Sequence, residues 1–224
     1  MRRELQVPAT VHGHCVIEGP DEDAGPRPLL VGFHGYAETA DAHLEALRRI
    51  PGIDRWRRCA VQALHPFYRG KTGEVVASWM TRFNRELAIA DNVRYVGEVV
   101  TRVQSDVPTR APLAWAGFSQ GTAMAYRAAA GTGSRSQVLL ALGGDVPPDL
   151  AEHDLTDFPR VLIGRGTTDP WYSEERLGAD VELLEGKGVV VEVCRFDGGH
   201  EWGEAFCHAA GKVLENAEGS GLGL

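Results

Sequence analysis

Along this chain, short unbroken apolar runs alternate with longer stretches in which apolar residues recur every three or four positions. "PLLVGF" (28 to 33), "CAVQAL" (59 to 64), "PLAWAGF" (112 to 118), "QVLLALGG" (137 to 144), "RVLIGRG" (160 to 166) and "VVVEVCRF" (189 to 196) are runs of the first kind. Their length and their bounding glycines predict strands buried on both faces. Between them lie "ADAHLEALRRI", "IADNVRYVGEVVTRV" (89 to 103), "SQGTAMAYRAAA", "VELLEGKG" and "EWGEAFCHAAGKVLENA". Val93, Val96, Val100 and Val103 fall at helical spacing in the second of these. Strands that do not alternate, joined by crossover helices, predict a mostly parallel central sheet with helices on both faces.

No internal repeat or linker divides the 224 residues, so a single α/β domain over 1–224 is expected. "PDEDAGPRP" (20 to 28) reads as a turn or loop, and 216 to 224 as a flexible tail. The 22 residues "PFYRGKTGEVVASWMTRFNREL" (66 to 87) are too long for a plain strand-to-helix link. Only "DVPPDLAEHDLTDFPR" (145 to 160) separates two later strands, which leaves no room for a large cap domain.

With 43% hydrophobic and 24% charged residues the composition is that of an ordinary globular chain. The net charge of −8 argues against a nucleic-acid partner. The basic cluster "RRIPGIDRWRR" (48 to 58) reads as a solvated helix end and loop. Cys15, Cys59, Cys194 and Cys207 show neither paired nor zinc-type spacing. The start "MRRELQVPATVHGH" lacks an apolar core of signal-peptide length, and nothing approaches the ~18 apolar residues of a membrane span. The expectation is a cytoplasmic protein with reduced thiols, no membrane span, and no metal or organic cofactor. His12 and His14, with no third ligand nearby, read as part of an exposed strand.

In such a sheet, ligands gather where the strands end. Ser119 follows "PLAWAGF" in "GFSQG", Asp169 follows "RVLIGRG" in "TTDP", and His200 follows "VVVEVCRF" in "DGGH". A serine between glycines at a strand-to-helix turn suits an exposed nucleophile. The serine needs a base, and the imidazole needs an acid to hold its tautomer and stabilise its charge. The N–H of Gln120, opening the next helix, suits an oxyanion, and the N–H of Tyr36 after the first strand is the second candidate donor. Asp145 in "GGDVPP" competes for the acid role, with a turn or helix cap as its other reading. Asp91 reads as the start or cap of its helix, and His34 as a structural residue holding the donor loop.

"HGYAE", "GFSQG", "GTTDP" and "GGHEW" together resemble the phospholipase/carboxylesterase family of α/β-hydrolases, which includes the acyl-protein thioesterases. "SWM" (78 to 80) resembles that family's Ser-Trp-aromatic-Asp stretch, and the likeness runs from about Leu29 to His200. It implies the α/β-hydrolase fold, the triad Ser119, Asp169 and His200, and an oxyanion donor at Tyr36. The chain departs from the family at "HGYAE", where His-Gly-Leu-Gly-Asp is usual, at Thr81 in place of aspartate, and at "PWY" after Asp169.

These features point to a serine carboxylesterase acting on a small ester through an acyl-enzyme. Thioester or lysophospholipid hydrolysis is the runner-up, a silent hydrolase-fold binding protein the alternative of another class, and a homodimer stays open. Trp79, Trp171 and His65 are the candidate pocket residues, with Trp79 open to a second reading as a pin for the 66–87 loop. Tyr172 is a further wall candidate. The pocket is expected to be open and apolar, and to favour acyl groups of roughly two to eight carbons, since methylenes left in water contribute nothing.

Overall fold

The computed structural model describes residues 1–21 and 25–220. Seven strands make one sheet: β1 (Cys15–Glu18), β2 (Arg27–Phe33), β3 (Arg57–Val61), β6 (Thr109–Phe118), β7 (Val138–Leu142), β8 (Arg160–Gly166) and β9 (Val191–Phe196). Their spatial order is β1-β3-β2-β6-β7-β8-β9. β1 runs antiparallel to β3, and every other neighbouring pair in the sheet is parallel. A separate hairpin, β4 (His65–Tyr68) and β5 (Val75–Ser78), is built from the 66–87 stretch.

The helices are α1 (Ala40–Arg48), α2 (Arg85–Asp106), α3 (Gln120–Gly131), α4 (Glu174–Gly186) and α5 (Glu204–Ser220). They divide between the two faces, as unalternating strands require. In β2, Leu29, Val31 and Phe33 pack with Val96 and Val100 of α2, Met124 of α3 and Leu177 of α4. Leu30 points the other way, into a second core holding Leu47 of α1 and Phe206, Val213 and Leu214 of α5. One strand thus feeds two cores through its period of two.

Several expectations change. The basic cluster is not a solvated loop: β3 begins at Arg57, and Arg57 and Arg58 are buried. Their charge is carried by neighbours, with Arg58 bonded to Asp54 at 3.1 Å and Arg57 donating to the Pro20 carbonyl. His12 and His14 lie just ahead of β1 rather than in it. Asp91 sits inside α2, paired with Arg94 at 2.8 Å, because the helix begins at Arg85, four residues before the predicted 89–103 stretch. Residues 216–220, read as tail, continue α5, with Ala217 buried in the second core, while 221–224 lie outside the described residues. So do positions 22–24 of the predicted 20–28 loop.

His43, on the inner side of α1, packs under Gly32, where a Cβ would come within 2.5 Å of the ring, and against Trp202. Complete burial disfavours its charged form and lowers its pKa to about 3. Between that value and the ordinary 6.5 the unfolded chain binds a proton that the folded chain refuses. Stability must therefore fall as pH drops through this window. His43→Leu should flatten the slope of melting temperature against pH between 6.5 and about 4, and an unchanged slope would refute this account.

Candidate active site

Ser119, the last residue before α3, has φ 54° and ψ −120°, a conformation that costs a side-chain-bearing residue energy and marks a forced turn. The small neighbours make the turn feasible. A Cβ at Gly117 would lie 2.5 Å from the Gly121 carbonyl, and one at Gly121 only 2.0 Å from the Phe33 carbonyl. Thr39 and Ser173 turn their hydroxyls back to cap α1 and α4, as such residues ordinarily do. The Ser119 hydroxyl does not cap α3 and is left for other chemistry.

Asp169 and His200 come from the ends of β8 and β9. The two loops are stapled together: Thr167 N–H donates to Phe196 O at 2.8 Å, and Thr168 donates to Gly198 O through both N–H and hydroxyl. Gly166 must be small, since a Cβ there would lie 2.1 Å from the Gly199 carbonyl. The result is a 2.8 Å contact between His200 Nδ1 and Asp169 Oδ2. Asp169 Oδ1 accepts the N–H groups of Trp171 at 2.8 Å and Tyr172 at 3.0 Å. Burial works to raise this carboxyl's pKa, but the bonds from Tyr172, His200 and Trp171 outweigh it and hold the group below the usual carboxylate range. Asp169 is therefore a fixed anion.

The imidazole of His200 rests on the Phe118 ring, with centroids 4.9 Å apart, one residue before Ser119. Phe118 is braced in turn by Trp202, and Trp202 by Phe206. Gly143, after β7, closes the other side: a Cβ on it would lie 3.2 Å from His200 and 3.4 Å from Asp169. The competing acid, Asp145, is exposed and engaged by Arg176 at 2.8 Å. Geometry thus pairs His200 with Asp169.

The candidate donor loop follows β2. Gly35 N–H donates to Glu38 Oε2 at 2.7 Å, and Ala37 N–H to Ala77 O of the hairpin at 3.0 Å. His34 takes the structural place expected of it, its Nδ1 2.7 Å from Gly35 O and its Nε2 accepting Ala63 N–H at 3.1 Å. That pattern puts the proton on Nδ1, and burial lowers the ring's pKa, so His34 stays neutral. The Gln120 side chain anchors residues 78–80, accepting Trp79 N–H at 2.9 Å and donating to Met80 O at 3.0 Å.

Beside Ser119 and Gln120 lies a cavity of about 440 Å³, walled by Met80, Thr81, Gly143 to Pro148, Trp171 and Tyr172. Trp171, 71% exposed, and Tyr172, buried and bonded to Asp180 at 2.8 Å, both line it. Two predicted pocket residues do not belong there. Trp79 is fully buried against Phe33 and His34, its Nε1–H donating to His34 O at 2.9 Å, so it pins the donor loop from below. His65 opens the hairpin, exposed and paired with Ser78, away from the cavity wall. Nor is the cavity apolar: Arg82, Arg85, Asp145 and Arg176 line it. These residues fall in loops and at helix starts, where no apolar period announces them. A larger hollow of about 510 Å³ lies along α2 and carries no comparable set of serine, imidazole and carboxylate.

Among the described residues no helix is long and apolar enough to cross a membrane, and no group of three metal-ligating side chains occurs. No family model and no curated protein matches the sequence. Solved structures do match. Esterase PE8 superimposes with a TM-score of 0.71 at 18% identity, covering 92% of this chain and 100% of its own. A phospholipase/carboxylesterase from Dyadobacter fermentans gives 0.69 at 20% identity, over 93% of this chain and 100% of its own. Zea mays acyl-protein thioesterase 2 gives 0.67 at 15% identity, over 92% and 99%. The chain thus has the α/β-hydrolase fold, with no large cap among the described residues, and shares it with the phospholipase/carboxylesterase and thioesterase structures on which it superimposes.

Proposed function

We propose that the chain is a serine carboxylesterase in which Ser119 is the nucleophile, His200 the base and Asp169 the residue that holds and charges the imidazole. The observation that carries the reading is the uncapped, strained Ser119 at the head of α3, on the same sheet edge as a His200–Asp169 pair 2.8 Å apart. In the first step Ser119 Oγ attacks the ester carbonyl while His200 Nε2 takes its proton. The same imidazole then gives that proton to the departing alcohol, leaving an acyl-serine. Water, deprotonated by His200, attacks this ester in turn, the acid departs, and the serine recovers its proton. In both steps the tetrahedral oxygen receives the N–H groups of Gln120 and Tyr36, with the positive end of α3 behind the first. Esterases and a thioesterase among the structural neighbours support this chemistry without naming the substrate.

Labelling by a fluorophosphonate probe, abolished in Ser119→Ala, tests the assignment against a silent binding protein. Absence of labelling in the wild type would refute it. A cavity of about 440 Å³ holds a short acyl or alcohol group. Activity (kcat/KM) over a series of 4-nitrophenyl esters should therefore peak within roughly two to eight carbons, because further methylenes would stay in water and add nothing. Best turnover of the palmitoyl ester would instead favour the lipid or thioester reading.

Glu38 gives a finer test. Its carboxylate accepts Gly35 N–H at 2.7 Å and so shapes the turn that presents Tyr36 N–H. Glu38→Ala should lower kcat by about ten- to a hundredfold with little change in KM, since a loosened donor weakens the transition state alone. Glu38→Gln retains an acceptor and should recover most of the rate. Equal losses in both variants would remove Glu38 from this role.

A further inference from the structure

The cavity beside Ser119 is cationic in a chain whose net charge is −8. Arg82 and Arg85 reach it from the entry to α2, and Arg176 from the first turn of α4, so two separate elements deliver positive charge to one small wall. One acid, Asp145, faces them, and it is matched to Arg176 at 2.8 Å. Asp149, the next acid along, is taken by the buried Arg127 through two contacts of 2.8 and 2.6 Å. Arg85 acts on Asp149 only at longer range. Arg82 makes no hydrogen bond or ion pair among the described residues. Three cations against one anion is a local surplus that the overall composition opposes.

A neutral chain gains from this cavity only the burial of its methylenes and nothing from the guanidinium groups. A carboxylate gains from it twice, through charge and through the planar fork that two parallel N–H bonds can offer. Asp145 in the same wall limits the total negative charge the cavity tolerates, which favours a single carboxylate over a dianion. Resting on the esterase reading above, we infer that the preferred substrates carry a carboxylate on the chain that enters this cavity, bound by Arg82 with Arg176 as second contact. The substrate class is that of half-esters of dicarboxylic acids, or esters of carboxylate-bearing alcohols.

The test compares 4-nitrophenyl hydrogen adipate with 4-nitrophenyl hexanoate, and 3-carboxyphenyl butyrate with phenyl butyrate. In at least one pair the anionic ester should lead in kcat/KM by about tenfold, the worth of one good charge-assisted contact. The pair that responds shows whether acyl or alcohol enters the cavity. The anionic-to-neutral ratio should shrink several-fold in Arg82→Gln and in Arg176→Gln, invert in Arg82→Glu, and widen in Asp145→Asn. It should also contract in 0.5 M salt, because exposed charges are screened there. Calorimetric binding of the same esters to Ser119→Ala reads recognition without turnover, and should show the same preference. A ratio near one in both pairs, or one indifferent to Arg82→Gln and Arg176→Gln, overturns the inference while neutral-ester hydrolysis leaves the esterase assignment standing. Loss of hydrolysis alongside a retained binding preference does the reverse.

Discussion

Ser119→Ala should leave the fold intact and lower ester turnover by a factor on the order of 10⁴ to 10⁶, the range seen when a nucleophile of this kind is removed. The expectation of an intact fold has a specific basis. The hydroxyl caps no helix, so alanine orphans no backbone donor at the start of α3. The forced turn, with φ 54°, is paid for by its surroundings whichever small side chain stands there. Ser119 N–H still reaches Leu142 O at 2.9 Å, and Thr122 N–H still reaches the residue 119 carbonyl. What alanine removes is the atom that bonds to carbon. Steady-state hydrolysis of a short 4-nitrophenyl ester, beside circular dichroism and a melting curve, measures both halves. A variant that keeps near-normal turnover would end the acyl-enzyme mechanism.

Asp169→Asn should lower kcat by about 10³ to 10⁴ through a single proton placed on the wrong nitrogen. Two backbone donors, Trp171 and Tyr172 N–H, already point at Oδ1. They oblige an asparagine to keep its carbonyl there and turn its NH₂ toward His200. That amide donates where the carboxylate accepted, so Nδ1 must become the acceptor and Nε2 takes the proton. An imidazole protonated at Nε2 cannot deprotonate Ser119. Asp145→Asn, by contrast, removes an exposed partner of Arg176 and should change kcat on a neutral ester by no more than a few-fold. Reversed magnitudes for the two variants would place the acid at the end of β7.

Much of this architecture was legible in the order of residues, because buried parallel strands are written as unbroken apolar runs. "PLLVGF" reports both cores at once, and "GFSQG" reports its turn because only glycine fits beside Gly121 O and Phe33 O. What stayed hidden has a common cause: partners supplied by distant chain. Arg57 and Arg58 look like surface charge until Pro20, Glu18 and Asp54 are brought to them. Trp79 looks like a pocket wall until its indole is found bonded to His34 O. β1 is only faintly written, its strand displaced by a few residues from the one expected at His12 and His14, because "CVIE" is four residues long and half-buried and shows neither a run nor a clear alternation. The β4–β5 hairpin lies outside the sheet, and its glycines, Gly70 and Gly73 at positive φ, read only as loop. The arginines around the cavity belong to no periodic pattern at all.

The position of β9 has a consequence for how the molecule fails. It is an edge strand, paired on one side only, with β8. His200 hangs from its end, and the staples from Thr167 and Thr168 to Phe196 and Gly198 are what keep that end in place. Edge strands open at lower free energy than the centre of a sheet. An opening at this edge would carry His200 away from Ser119 while β2, β6 and β7 remain closed. Loss of ester hydrolysis on heating or in mild denaturant should therefore precede the loss of most of the circular dichroism signal.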